Sequence, residues 1–282
     1  MREIHCNSIR RGRSGHVLKD LFTTLIMQRL LGARAVRSRY WQEQKLISSA
    51  NVNCLLPAPR VNILKVAFYQ PRNFWQGINW NEFEKFKMHF SRLPDPCRVT
   101  ISSVYRIHLH QVKNWEDNGK IEGGSYASLL ADLRRLYWGR ETIPEPSQKV
   151  RKIVLHARRG DVAAPGGLCF NTMGPGKWSA QFYQEKIDCL RKKYPTASIR
   201  LLTEKQRSSD LDNIFGAEID KGDITNLSDH FREMVEADLF LPSNSSLSTW
   251  AAYLTQGLVA ISQSHPIKHF RFNKPPSNHF EL

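Results

Sequence analysis

Val150-Arg-Lys-Ile-Val-Leu-His156-Ala-Arg158-Arg159-Gly160-Asp161 opens the second half of the chain. Residues 150–156 are a short run with β-branched character, which predicts a strand. That strand delivers two consecutive arginines, a glycine and an aspartate into a loop. The same alternation continues downstream. Residues 178–193 carry Phe182, Ile187 and Leu190 at helical spacing, with Arg191-Lys192-Lys193 at the end and Pro195 beyond it. Strands are predicted at 198–203, 217–219, 239–241 and 258–262, the last of them closing the pattern. Helices are predicted at 208–215, 228–237 and 245–256, the third ended by Gly257. Alternating strands and helices predict an α/β domain with a parallel sheet of Rossmann type.

The stretch Thr142-Ile-Pro-Glu-Pro-Ser-Gln148 precedes this pattern and interrupts regular structure with two prolines. A chain of 282 residues exceeds one ordinary hydrophobic core, so two domains are expected, 1–145 and 146–282. In the first, residues 16–31 read as a helix with Leu18, Leu21, Phe22, Leu25, Ile26 and Leu30 on one stripe. Residues 61–69 and 98–104 read as strands and 125–137 as a helix. The aromatic-rich stretch 71–96 reads as an irregular segment that contributes core packing.

Composition narrows the class. At 41% hydrophobic and 24% charged residues the chain is globular. No run is long and apolar enough to span a bilayer, and the first residues lack the apolar core of a secretory signal. The five cysteines are scattered, with no Cys-x-x-Cys pair, which suggests free thiols in a reducing compartment and a cytoplasmic setting. The Asn-x-Ser triplets at Asn226 and Asn244 are read as chance matches in that setting. Net charge is +15, and residues 1–148 hold 23 Lys+Arg against 12 Asp+Glu. Such an excess predicts an anionic partner without choosing among nucleic acid, membrane surface and phosphorylated small molecule.

Three strand-to-helix turns suit an anion. The first is His156-Ala-Arg158-Arg159-Gly160-Asp161, because the carboxyl ends of parallel strands are where ligands sit and Arg offers a fork of donors that matches phosphate. The second Arg points the other way and can anchor the loop. Ser243-Asn-Ser245-Ser246-Leu-Ser248 is the next, where hydroxyls gather at a helix start whose amides lack partners. Last is Arg10-Arg-Gly12-Arg-Ser-Gly15-His16, where two glycines let a backbone approach a ligand closely. Asp210-Leu-Asp212 has the form of a metal-binding pair but lies in a predicted helix on a charged face, so it reads as a solvated pair.

His156-Ala-Arg158-Arg159-Gly160-Asp161 resembles the His-x-Arg-Arg-x-Asp motif of the fucosyltransferase superfamily. Asn244-Ser-Ser-Leu-Ser-Thr-Trp-Ala-Ala-Tyr-Leu254 is similar to the Asn-Ser-Ser-Phe-Ser-Trp-Trp-Ala-Ala-x-Leu block of its bacterial-type alpha-1,2 branch, with Thr249 in place of one Trp. Asp229-His-Phe-Arg-Glu-Met234 looks like the acidic residue followed by Met in the helix that precedes that block. Gly12-Arg-Ser-Gly15-His-Val-Leu-Lys-Asp-Leu-Phe22 is a looser match to the family's N-terminal opening. Order and spacing agree over residues 149–260, and none of the likeness extends across 40–148.

The resemblance implies a GT-B-like α/β fold of two Rossmann-like domains facing a cleft. It further implies an inverting, metal-independent transfer of a sugar from a GDP-sugar donor, most simply L-fucose, to a glycan hydroxyl. By that likeness Arg158 binds the diphosphate with His156 beside it and Arg159 supporting the loop. Asp229 lies near the guanine, Ser245, Ser246 and Ser248 near the phosphates, and Gly12 and Gly15 against the donor. Asp161 and His16 are the candidates for the base that takes the acceptor proton, and no metal or other cofactor is expected. The partners are then a nucleotide sugar and a glycan, with no nucleic acid; peripheral contact with a membrane surface stays open. The alternatives are a transferase with another nucleotide-sugar donor, a fold-mate that binds such a donor without transferring it, and a polyanion-binding protein built on basic residues 1–39.

Overall fold

The computed structural model describes residues 2–7, 14–35, 64–68, 78–102, 107–139, 145, 147, 149–159, 178–223, 227–262, 272 and 274–282. Two compact units divide the chain. One comprises Met1–Ile143 with Arg271–Lys274, the other Pro144–Phe270 with Pro275–Leu282. Among the described residues the protein has ten strands and seven α-helices, and every strand pairing is parallel.

The first unit runs β1 (Glu3–Asn7), α1 (Ser14–Leu31), β2 (Arg34–Ala35), β3 (Leu64–Phe68), α2 (Trp80–Arg92), β4 (Cys97–Ser102), α3 (Leu109–Asp117) and α4 (Ser125–Trp138). Its sheet has the order β2-β1-β4-β3. Leu18, Leu21, Phe22 and Ile26 of α1 are buried, so the apolar stripe expected there is core. Within the stretch 71–96, expected to be irregular, residues Trp80–Arg92 form α2. Asn79 caps that helix by accepting the Glu82 N–H, and the Glu82 carboxylate accepts the Asn79 N–H in return. Phe83, Phe86 and Phe90 then fall on one buried face, which fulfils the packing role expected of the aromatics. Glu3 and Arg98 join β1 to β4 through two hydrogen bonds to one carboxylate oxygen, at 2.9 and 2.7 Å.

The second unit runs β5 (Lys152–Ala157), α5 (Ala180–Lys193), β6 (Ser198–Glu204), a 3-10 turn (Ser209–Asn213), β7 (Glu218–Gly222), α6 (Leu227–Val235), β8 (Leu239–Leu241), α7 (Ser246–Leu254), β9 (Leu258–Ile261) and β10 (His279–Glu281). Strand β10 lies beyond the strand expected to be last. It is three residues long, follows a proline-containing stretch, and pairs only with β9 among the described strands. The helix expected at 208–215 is a single 3-10 turn, because its C-cap, Ile214, is extended and ends the helical run.

The sheet order is β10-β9-β8-β5-β6-β7. The chain enters at the central strand β5, steps outward through β6 and β7, then returns to β8 and steps outward the other way. Counted from β5, that is the 3-2-1-4-5-6 order of dinucleotide-binding sheets, and the direction reverses between β5 and β8. Ile153, Leu155 and Ala157 face a core with Phe182, Tyr183, Ile187 and Leu190 of α5. The alternate residues of β5 face the other side, where Lys152 meets Glu233 of α6. A sheet buried on both faces explains why β5 reads as a nearly continuous apolar run.

Candidate anion-binding site at the strand switch point

Strands β5 and β8 are hydrogen-bonded neighbours, with Leu155 opposite Leu241. Their carboxyl ends therefore place His156-Ala-Arg158-Arg159 beside Pro242-Ser243-Asn244-Ser245, at the point where the sheet reverses direction. The two sequence motifs, about ninety positions apart in the chain, are joined directly. Ser243 Oγ and His156 Nδ1 share a hydrogen bond of 2.8 Å. The Ser243 N–H donates to Ser248 Oγ at 2.9 Å, which ties the loop after β8 to the first turn of α7.

His156 is buried, and its pKa is brought down to about 3 by that burial, with the charges of His230 and Arg158 adding to the effect. It is neutral at physiological pH. A histidine that resists protonation only when folded stabilises the protein fully above its unfolded pKa, near 6.5, and loses that contribution as pH falls toward 3. Each pH unit in that window costs about 1.4 kcal/mol through this one group. Urea unfolding followed from pH 7 to pH 4 is expected to show a shallower loss of stability for His156→Gln than for the parent. Identical slopes would place the acid sensitivity elsewhere.

His230 of α6 packs its ring on β7. A Cβ at Gly222 would lie 2.3 Å from its Cε1, so only glycine leaves room there. Its Nε2 is 3.3 Å from Asp220 Oδ1, and Asp220 also accepts from Arg200 at 2.8 Å. Arg200 in turn holds Glu233 and Glu218.

Arg158 is half-buried at the end of β5. Arg159 is buried and turned into the protein, with Nη2 2.9 Å from Asp210 Oδ2, Nε 3.3 Å from Asp210 Oδ1, and its guanidinium carbon 5.7 Å from the centre of the Tyr183 ring. The opposite orientation expected of the second arginine is what anchors the loop. The Asp210-Leu-Asp212 pair is not merely solvated, since Asp210 pairs with Arg159 and Asp212 with Lys221. Two cations, one for each carboxylate, point the pair apart rather than toward a shared ion.

The serines at α7 do different jobs. Ser245 is the N-cap residue, but its side chain makes no capping hydrogen bond. Its carbonyl accepts both the N–H and the hydroxyl of Thr249, at 2.9 and 2.8 Å. The Thr249 bond is the first of the helix, so the amides of residues 246–248 precede the hydrogen-bonded ladder. Ser248 is fully buried with its Oγ accepting from Ser243, whereas Ser245 and Ser246 retain a little exposure.

Three other expected residues lie on α6 and α1. Asp229 is exposed in the first turn of α6, where a carboxylate also suits the helix dipole. Gly15 and His16 belong to the first unit, and both sit inside α1, which begins at Ser14 rather than after the glycines. Gly12 and Asp161 lie outside the described residues. Sequence reasoning missed Tyr183, Glu204, Ser243 and Asp210 as parts of this site. Ser243 stood in the quoted serine cluster, and Asp210 in the pair weighed for metal. Among the described residues no group of three or more His, Cys, Asp and Glu side chains is gathered as a metal ligand set. Among them too, no helix is long and apolar enough to cross a membrane. No protein-family model matches the chain, and no curated protein matches it.

Proposed function

We propose that this chain is an inverting glycosyltransferase of GT-B type, cytoplasmic and metal-independent, that moves L-fucose from GDP-fucose to a glycan hydroxyl. The observation that carries the reading is the meeting of the first fucosyltransferase-like motif with the start of the second at one switch point, through Ser243, which bonds His156 on one side and Ser248 of the second block on the other. Motif resemblance and strand topology are independent, and both lead to the same few atoms.

The chemistry fits these residues. The acceptor oxygen attacks the sugar carbon from the face opposite the departing diphosphate, the bond from that carbon to the β-phosphate oxygen breaks, and the configuration inverts. The acceptor proton passes to a base, with Asp161 and His16 the groups to test. The departing diphosphate gains negative charge, which must be stabilised where it develops. Arg158 supplies a fixed cation, and the start of α7 supplies amides and a positive dipole end. Neutral His156 adds no charge and keeps its ring nitrogens for hydrogen bonding.

A thermal-shift panel of GDP, UDP, CMP and their sugars tests this. A ligand that binds the native state at a hundred times its Kd stabilises it by about 2.7 kcal/mol, a shift easily read. GDP and GDP-fucose are expected to raise the melting temperature. Stabilisation by UDP alone would replace the donor, and stabilisation by none would remove nucleotide-sugar transfer.

A further inference from the structure

The exit of β5 is fastened residue by residue. The Tyr183 hydroxyl donates to the His156 carbonyl at 3.2 Å, and the Thr203 hydroxyl to the Ala157 carbonyl at 2.7 Å. Arg159 Nη1 donates to the Arg158 carbonyl at 3.3 Å. The Arg159 N–H donates to the Glu204 carboxylate, and the Arg159 guanidinium donates to both oxygens of Asp210. Four consecutive residues are thus held by side-chain hydrogen bonds, three of them from or to groups on β6, α5 and the 3-10 turn. Ordinary strand exits need no such set, because a loop beyond a sheet solvates its backbone in water.

The carboxylates are themselves placed. Glu204 is the last residue of β6, paired with Gly222 of β7. The turn after it is closed by the Lys205 N–H on the Gly222 carbonyl at 2.9 Å and by the Ser208 hydroxyl on the Lys205 carbonyl at 3.1 Å. Buried Leu211 and Ile214 pin the 3-10 turn that carries Asp210. Arg159 is nearly inaccessible, with 5% of its surface exposed, whereas the Asp210 side chain is 48% exposed. Asp210 reaches inward from the surface to a buried cation. An exposed carboxylate that only formed a surface pair would contribute little; one that holds a buried guanidinium fixes a geometry.

We propose that Asp210 and Glu204 are positioning residues that lock Arg159 and the backbone of residues 156–159, and so hold the Arg158 guanidinium where the donor diphosphate binds. The consequence for the diphosphate rests on the reading of Arg158 given above; the clamp itself does not. Displacement of a positioned catalytic group by about 1 Å costs up to a hundredfold in rate.

The test uses the full chain and four variants: Asp210→Asn, Asp210→Glu, Glu204→Gln and, as a surface control, Asp212→Asn. Hydrogen–deuterium exchange over residues 156–161 reads the clamp without ligand, and titration with GDP and donor kinetics read its effect. Asp210→Asn is expected to speed exchange in that segment and lower GDP affinity and kcat/KM by about tenfold to a hundredfold. Its melting temperature should fall, because a buried guanidinium loses its charged partner, so exchange and affinity are compared well below that transition. Asp210→Glu should restore most of the loss, Glu204→Gln should resemble Asp210→Asn, and Asp212→Asn should behave as the parent. Parent-like exchange and affinity in both Asp210→Asn and Glu204→Gln would overturn the clamp. Faster exchange in a protein whose parent binds no GDP would uphold the clamp and overturn the donor reading.

Discussion

If the chain transfers a sugar as proposed, Arg158→Ala is expected to lower kcat/KM for that transfer by about a hundredfold to a thousandfold, with the fold intact. The reasoning is electrostatic. A diphosphate leaving group develops charge as the glycosidic bond breaks, and a fixed cation beside it stabilises the transition state more than the bound donor. Arg158 stands at the carboxyl end of the central strand, on a segment whose backbone is held at each residue. Arg158→Lys separates charge from shape. Lysine keeps the charge but loses the planar fork, so an intermediate loss is expected. Because Arg158 is half-buried and is not among the side chains packed between β5 and α5, its removal should lower the melting temperature far less than the loss of a core side chain would. Steady-state kinetics with GDP-fucose and an acceptor glycan, alongside GDP titration, provide the measurement. Parent-level transfer by Arg158→Ala would take the switch-point site out of the mechanism.

The second α/β unit was largely legible because its local signals agree with one another. Residues 150–156 carry the β-branched Val150, Ile153 and Val154, and the strand is Lys152–Ala157; residues 239–241 were expected as a strand and are one. What could not be read was the order of the strands. Nothing in the local sequence says that β8 returns to lie beside β5, yet that return makes a site of two motifs. The side-chain clamp was equally hidden, since Arg159 and Asp210 are fifty-one positions apart and meet only through the packing of the 3-10 turn. In the first unit the opposite failure occurred. The Asn79-x-x-Glu82 capping signal and the helical spacing of Phe83, Phe86 and Phe90 were both present, but an aromatic-rich stretch bounded by prolines reads as irregular. Strand β10, His279-Phe-Glu281, lay beyond reach because it lacks the all-apolar composition that marks the equally short β8.

Tyr183 is where core and site become one object, and its replacement tests that directly. The side chain is fully buried in α5 and packs on Phe182, with ring centres 5.1 Å apart and the planes near perpendicular. Its face lies under the Arg159 guanidinium, and its hydroxyl holds the His156 carbonyl. Tyr183→Ala is expected to destabilise the protein by about 4 kcal/mol, the usual cost of deleting a buried aromatic ring and leaving its cavity. Tyr183→Phe retains the ring and leaves a buried carbonyl short of one partner, at a cost of about 1 kcal/mol. The two variants also divide the functional effect. If the ring alone supports Arg159, Tyr183→Phe should keep most of its GDP affinity while exchange at His156 and Ala157 rises. If the hydroxyl positions the strand end, affinity should fall with it. Urea unfolding, hydrogen exchange and GDP titration on the same samples decide between these outcomes. A loss below about 1 kcal/mol for Tyr183→Ala would mean that the site stands on its loops rather than on the core beneath them.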